Sequence, residues 1–81
     1  MSTAPTAERV LGHLIRSIVE LPEEVEIETS GSERCVFSVT VADGDMGRVI
    51  GKRGRVANAI RTIVRAAAVQ DDVEIDVEFV D

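Results

Sequence analysis

From Ala7 to Leu21 the apolar residues return every three or four positions: Ala7, Leu11, Leu14, Ile18 and Leu21, with Val10 and Ile15 broadening the stripe. Glu8, Arg9, Gly12, His13, Arg16, Ser17 and Glu20 fill the other side, so the spacing predicts an amphipathic helix that Pro22 stops. Residues 1–6, which include Pro5, are expected to be flexible. At Val25 the period changes to two. Val25, Ile27 and Thr29 face one way and Glu26, Glu28 and Ser30 the other. Ser30-Gly31-Ser32 is turn chemistry, and beyond it Cys35, Phe37, Val39 and Val41 alternate with Val36, Ser38 and Thr40. The two runs predict an antiparallel hairpin with a loop of about four residues.

Ala42-Asp43-Gly44-Asp45 breaks the alternation, and Asp45 is placed to cap a short helix from Met46 to Ile50. Gly51 suits the left-handed position that ends it. A longer helix is expected from Arg55 to about Val69. Val56, Ala59, Ile60, Ile63 and Ala67 form its expected buried stripe; Arg55, Asn58, Arg61, Thr62 and Arg65 form its wet side. Gln70-Asp71-Asp72 ends that helix. In the last segment Val73, Ile75, Val77 and Phe79 point inward and Glu74, Asp76 and Glu78 outward. A strand that returns after helices of this length pairs parallel with the second strand. The expected fold is α+β, in the order α-β-β-α-α-β, with a three-stranded mixed sheet covered by helices on one face. Residues 7–81 form a single domain in this reading.

Composition narrows the picture. A chain of 81 residues is one domain at most, and a core of this size supplies only about 3–5 kcal/mol of net stability. Cys35 is the single cysteine, so no internal disulfide helps, which fits a reducing compartment. No Cys/His cluster suggests a metal, and no cofactor is expected. The apolar runs are too short to span a membrane, and the opening stretch lacks the pattern of a signal peptide, so a cytoplasmic location is expected.

The formal net charge is -6, yet the charge is unevenly spread. Residues 46–70 hold Arg48, Lys52, Arg53, Arg55, Arg61 and Arg65 and no acid; all fifteen acids lie elsewhere. Such a local positive field captures anions while the remainder repels them. Glu26, Glu28, Glu74, Asp76 and Glu78 fall on the outward face of the expected sheet, which has no aromatic residue. Sheets that bind RNA by stacking need aromatics there. A solvated face that keeps the sheet soluble accounts for these acids.

The sequence Gly51-Lys52-Arg53-Gly54 joins the two later helices. Both glycines reach backbone conformations closed to other residues, and neither has a Cβ to keep another backbone away. The amides that open the following helix have no partner within it and carry the positive end of its dipole. Lys52, Arg53 and Arg55 crowd that positive end, at about 0.3–1 kcal/mol for each clash; a bound anion removes the clash. The motif is not a P-loop, because Gly47 and Gly51 are separated by three residues and Arg53 stands where a hydroxyl residue is needed. Replacing Gly51 and Gly54 together by Asp is expected to leave the fold intact and remove binding.

A plainer reading stands beside this one: the glycines close a tight helix-helix connection and the cations serve solubility. The helices also admit a protein-interaction module, and helix-turn-helix order admits a DNA binder. His13 reads as a surface residue, and Cys35 and Met46 as core. Arg61 and Arg65 either extend an RNA path, meet a partner's acids or line a solvated face. No nucleophile, acid-base pair or metal constellation can be assembled, so an enzyme is not expected.

The stretch VIGKRGRVANAIRTIV resembles the signature of the KH domain: Ile-Gly-x-x-Gly, then a helix with spaced aliphatics. The extra helix and strand ahead of the β-α-α-β core resemble the prokaryotic type II arrangement, and a single domain of this length is similar to the small bacterial KhpA family. The resemblance covers about Ala7 to Val80. It implies single-stranded RNA binding, with about four nucleotides clamped and the turn against their backbone. Carried over, Gly51, Lys52, Arg53 and Gly54 hold phosphates and Ile50 floors an apolar groove; Arg48 and Arg55 are added from charge alone. The resemblance also implies a homodimer or a heterodimer with a second KH-containing protein. It suggests a post-transcriptional regulator or RNA chaperone, with links to cell-envelope growth and cell shape.

Overall fold

The computed structural model describes residues 3–31 and 34–80. Its elements are α1 (Pro5–Ile18), β1 (Glu26–Ser30), β2 (Cys35–Thr40), α2 (Met46–Ile50), α3 (Arg55–Ala68) and β3 (Ile75–Phe79), with single 3-10 turns between several of them. The sheet order is β1-β2-β3. β1 runs antiparallel to β2, with Ile27 opposite Val39 and Thr29 opposite Phe37. β3 runs parallel to β2, with Ile75 opposite Cys35 and Val77 opposite Phe37. The expected α+β order and mixed sheet are therefore those of the molecule. Ser32 of the expected turn lies outside the described residues.

The core forms where one face of the sheet meets α1 and α3. Leu11 and Ile15 of α1, Phe37 and Val39 of β2, Val49 of α2 and Val64 of α3 are all fully buried. On the other face Glu26, Glu28, Asp76 and Glu78 alternate outward with Ser38 and Thr40, as the strand period requires. No helix among the described residues is long and apolar enough to cross a membrane.

Several local expectations are corrected. Helix α1 begins at Pro5 rather than Ala7, and Ala4 ahead of it is fully buried. Proline suits the first turn, whose amides lack helical partners anyway. Two of those amides are met from a distance: Asp71 accepts from Thr6 N at 3.1 Å and from Ala7 N at 2.9 Å. The same helix ends at Ile18, not Leu21. There the Asp45 carboxylate takes the Glu20 and Leu21 amides, each at 3.1 Å, and pulls the chain out of the helix. Asp45 does precede α2, but its buried side chain makes no cap bond to that helix. It ties the end of α1 to the start of α2 instead.

Another correction concerns α3. Ala57, Ile60, Val64 and Ala68 are its buried residues, whereas Ala59 and Ile63 face solvent, with Ile63 48% exposed. The inward stripe is rotated by most of a quarter turn from the expected one. Gly12, expected on the wet side of α1, is buried under the Arg16 side chain and close to Ile27 of β1.

Candidate nucleic-acid interface

Helix α2 is one and a half turns long and is anchored by Val49, with Met46 and Ile50 packed at the margin of the core. It closes with Gly51 N donating to Gly47 O at 2.9 Å. Gly51 then takes φ 74 and ψ 177, a combination open essentially to glycine alone. A Cβ at this position would sit 2.4 Å from Val56 Cγ2. Gly51 is therefore required twice, by its backbone and by the residue folded over it. This corrects the expectation that Asp is tolerated there.

Past Gly51 the chain reverses within three residues. Arg53 (φ 57, ψ 26) and Gly54 (φ 73, ψ 15) are consecutive left-handed residues, and Gly54 N donates to Gly51 O at 3.3 Å. A non-glycine residue in this region costs roughly 1–2 kcal/mol. Strain of this kind gathers at functional sites. A Cβ on Gly54 would meet nothing within 4 Å, so that glycine is needed for its dihedral angles and the surface above it is open.

Lys52, Arg53 and Arg55 are exposed, and among the described residues none of them makes an ion pair or side-chain hydrogen bond. Gly54 supplies no side-chain cap, and the first turn of α3 holds no acid. The positive end of a 14-residue helix and three unneutralised cations thus share one exposed bend. Such a surface attracts a chain of phosphates.

Arg48 behaves differently. Its guanidinium pairs with Glu20 and lies 3.5 Å from Asp45 Oδ1, so it is turned back toward the end of α1. Ile50 is partly buried and borders the bend. The structure therefore brings Ile50, Gly51, Lys52, Arg53, Gly54 and Arg55 together and directs the charge of Arg48 elsewhere.

A concavity lies elsewhere. A cavity of about 400 Å³ lies between the far end of α3 and the start of β3. Ala68, Val69, Val73 and Ile75 line it, and its charged rim is internally paired: Arg34 bridges Glu74 and Asp76 at 2.9 and 2.8 Å, and Arg65 approaches Asp76 at 3.9 Å. Those two carboxylates, first through hydrogen bonds and then through their charge, raise the Arg34 pKa above its ordinary value. The rim has little charge left for a ligand.

A three-stranded sheet with helices on one face and a G-x-x-G bend between the last two helices defines a KH domain. The family model described as KhpA/KhpB, KH domain matches residues 8–79, and the chain belongs to that family. A protein of Clostridium acetobutylicum named RNA-binding protein KhpA is 41% identical over 73 residues, spanning 89% of this chain and 97% of the relative. The protein of the same name from Clostridium perfringens is 43% identical over 68 residues, spanning 83% of this chain and 91% of the relative. That of Chlamydia trachomatis is 38% identical over 72 residues, 88% and 92% of the two chains. Among solved structures, Aquifex aeolicus Era bound to GDP and AlF4- superposes with a TM-score of 0.67 at 14% identity, over 98% of this chain and 31% of Era. A complex of Era with a stretch of 16S ribosomal RNA gives 0.68 at 13% identity, over 98% and 30%. At such identity the likeness to Era concerns the fold alone.

Proposed function

We propose that the domain binds single-stranded RNA at the bend formed by Gly51, Lys52, Arg53 and Gly54, with Arg55 beside it and Ile50 at its floor. The observation that carries this reading is the exposed, unneutralised charge of Lys52, Arg53 and Arg55 at the uncapped start of α3. The naming of the relatives as RNA-binding proteins supports it. The strand is held chiefly through its phosphates, so sequence preference from this bend is weak. Arg48 adds little, because Glu20 and Asp45 already occupy it.

The test is Lys52→Asp with Arg53→Asp, measured by fluorescence anisotropy on a labelled RNA octamer. Both residues are exposed, and Asp tolerates the left-handed conformation at residue 53 better than most residues. Loss of binding with an unchanged circular dichroism spectrum is expected. Unchanged binding would reject the site.

A second reading is supported by the solvent side of α3, where Ile63 is 48% exposed, Ala59 is exposed and Val56 and Ala67 are half-buried beside them. This stripe suits a homodimer or a heterodimer with a second KH-containing protein, the setting in which the domain acts as a post-transcriptional regulator or RNA chaperone. Light scattering on Ile63→Glu tests it: a dimer that becomes a monomer supports the stripe as the interface, and a wild-type monomer at high concentration rejects the homodimer.

A further inference from the structure

Lys52 is the one lysine of the chain; the other basic residues are all arginines. It stands within the bend, between Gly51 and the left-handed Arg53, and it is exposed. Among the described residues no acid pairs with it, with Arg53 or with Arg55. Several cations elsewhere are committed to the fold. Arg34 and Arg48 pair with carboxylates, and Arg61 donates from Nε to the Val77 carbonyl at 3.1 Å and from Nη1 to Asn58 Oδ1 at 3.3 Å. Lys52 holds no element in place. A small molecule can reach it, since a Cβ on Gly54, two residues on, would meet nothing within 4 Å.

Phosphate binding alone does not explain the choice of residue. The planar fork of arginine grips a phosphate through two bonds, and arginine occupies the two neighbouring cationic positions. What lysine adds is an amine, a nucleophile that the permanently protonated guanidinium is not. The same surface gathers a reagent for it. Arg53 and Arg55, with no acid to neutralise them, attract a small phosphate-bearing anion. In an acyl phosphate the reactive carbonyl is bonded directly to the phosphate, so a molecule held by the arginines presents that carbon to the amine beside them. In a coenzyme A thioester the phosphates lie a long flexible arm away from the carbonyl, and the same grip positions it poorly.

We propose that Lys52 is a modification site, acylated by acyl phosphates that Arg53 and Arg55 gather, and that its acylation weakens the hold of the bend on RNA. The unprotonated Nζ attacks the carbonyl carbon and forms the C–N bond of an amide. The bond from that carbon to the phosphate oxygen breaks, inorganic phosphate leaves with the electron pair, and the surplus amine proton passes to water. The product has lost its positive charge and keeps a single N–H donor in place of three. With one of three cations gone, the log-log salt slope of RNA binding shrinks by about 0.7. The bend thereby couples RNA binding to the supply of activated acyl groups. The effect on RNA rests on the reading that RNA binds at the bend; the acylation itself does not.

In the experiment the full chain is incubated with acetyl phosphate, with acetyl-coenzyme A or with the neutral ester N-hydroxysuccinimidyl acetate, and acetylation of Lys52 is followed by peptide mass spectrometry. Wild-type protein is compared with Arg53→Asn, Arg55→Gln. Both positions are exposed, and asparagine accepts the left-handed conformation at residue 53, so the fold is kept, which circular dichroism checks. With acetyl phosphate the variant is expected to react roughly tenfold more slowly, the lower order of electrostatic enrichment; with the neutral ester the two proteins react alike. Equal rates with acetyl phosphate, or the same slowing with the neutral ester, overturn the site. A dependence on the arginines seen with acetyl-coenzyme A but not with acetyl phosphate overturns the choice of donor. Fluorescence anisotropy on an RNA octamer reads the consequence. Acetylated wild type is expected to bind roughly fivefold more weakly than untreated protein, with the smaller salt slope. Lys52→Arg keeps a cation and loses the amine, so treatment with acetyl phosphate is expected to leave its own affinity unchanged. Unaltered binding by acetylated wild type, or an equal loss in treated Lys52→Arg, overturns the switch. Failure of the untreated wild type to bind the octamer overturns the underlying reading instead, while the acetylation rates still decide the site.

Discussion

At the carboxyl end of α3, Arg65 and Arg34 converge on Asp76 and Glu74 and enclose a cavity whose charges cancel. At the amino end of the same helix, Lys52, Arg53 and Arg55 project from a bend and pair with no acid among the described residues. The cations are equal in kind and lie about 15 Å apart along one helix, yet their surroundings are opposite. The difference teaches that a hollow and a cluster of arginines are not by themselves a polyanion site. What distinguishes the bend is that its charge is left over after folding. Exposed ion pairs like those at the far end contribute little to stability, but they do remove the charge from service.

The largest effect separating the two ends is expected from Lys52→Asp with Arg53→Asp. Three cations that each neutralise a phosphate give a log-log salt slope of about -2, and losing two of them reduces it to about -0.7. Affinity at low salt should fall by at least roughly tenfold on the same grounds. Next come the two glycines. Gly51→Ala forces a Cβ into Val56 and a conformation that alanine avoids, so the melting temperature should drop clearly and binding with it. Gly54→Ala meets open space and pays only for its left-handed backbone, about 1–2 kcal/mol. Equal melting temperatures for the two variants would contradict the geometry of the bend. Smaller still is the response to Arg34→Ala with Arg65→Gln, expected to change RNA affinity by less than about twofold because those charges are already paired. A loss comparable to that of the double aspartate variant would dissolve the contrast between the ends.

The smallest effect is one of pH. Burial pushes the Asp71 carboxyl up. The amides of Ala7 and Thr6, the Thr6 hydroxyl and the charge of Arg9 together outweigh it and leave the group below its ordinary value of 3.8. A carboxylate lowered in this way stabilises the fold at every pH above that ordinary value. Its contribution fades as the pH falls below 3.8 through the value in the folded protein. Thermal melts of wild type and Asp71→Ala should differ at pH 7 and converge in strong acid. A difference that persists unchanged there would show that the link between α1 and the end of α3 does not depend on charge.

Much of this architecture was legible from residue spacing. The period of two identified all three strands, and the bounds of α2 followed from Asp45 and Gly51. The bend was legible because glycine and charge were both out of place for an ordinary helix start. The phase of α3 was not. Val56, Ala59, Ile63 and Ala67 are as apolar as Ala57, Ile60, Val64 and Ala68, so more than half the circumference is hydrophobic and only tertiary packing selects the buried wedge. The solvent-facing part of that surplus is the stripe around Ile63. The roles of Asp45, Asp71 and Arg48 were hidden for a different reason: each is set by a partner far away in sequence, Glu20 and Leu21 for the first, Thr6 and Ala7 for the second, Glu20 for the third.

A titration of isotope-labelled protein with a single-stranded RNA octamer, followed through backbone amide chemical shifts, bears most directly on where the strand lies. Shifts concentrated at Gly51, Lys52, Arg53, Gly54 and Arg55 are the expected result. Shifts centred on Arg34, Arg65 and Asp76, or on the acidic face of the sheet, would contradict it.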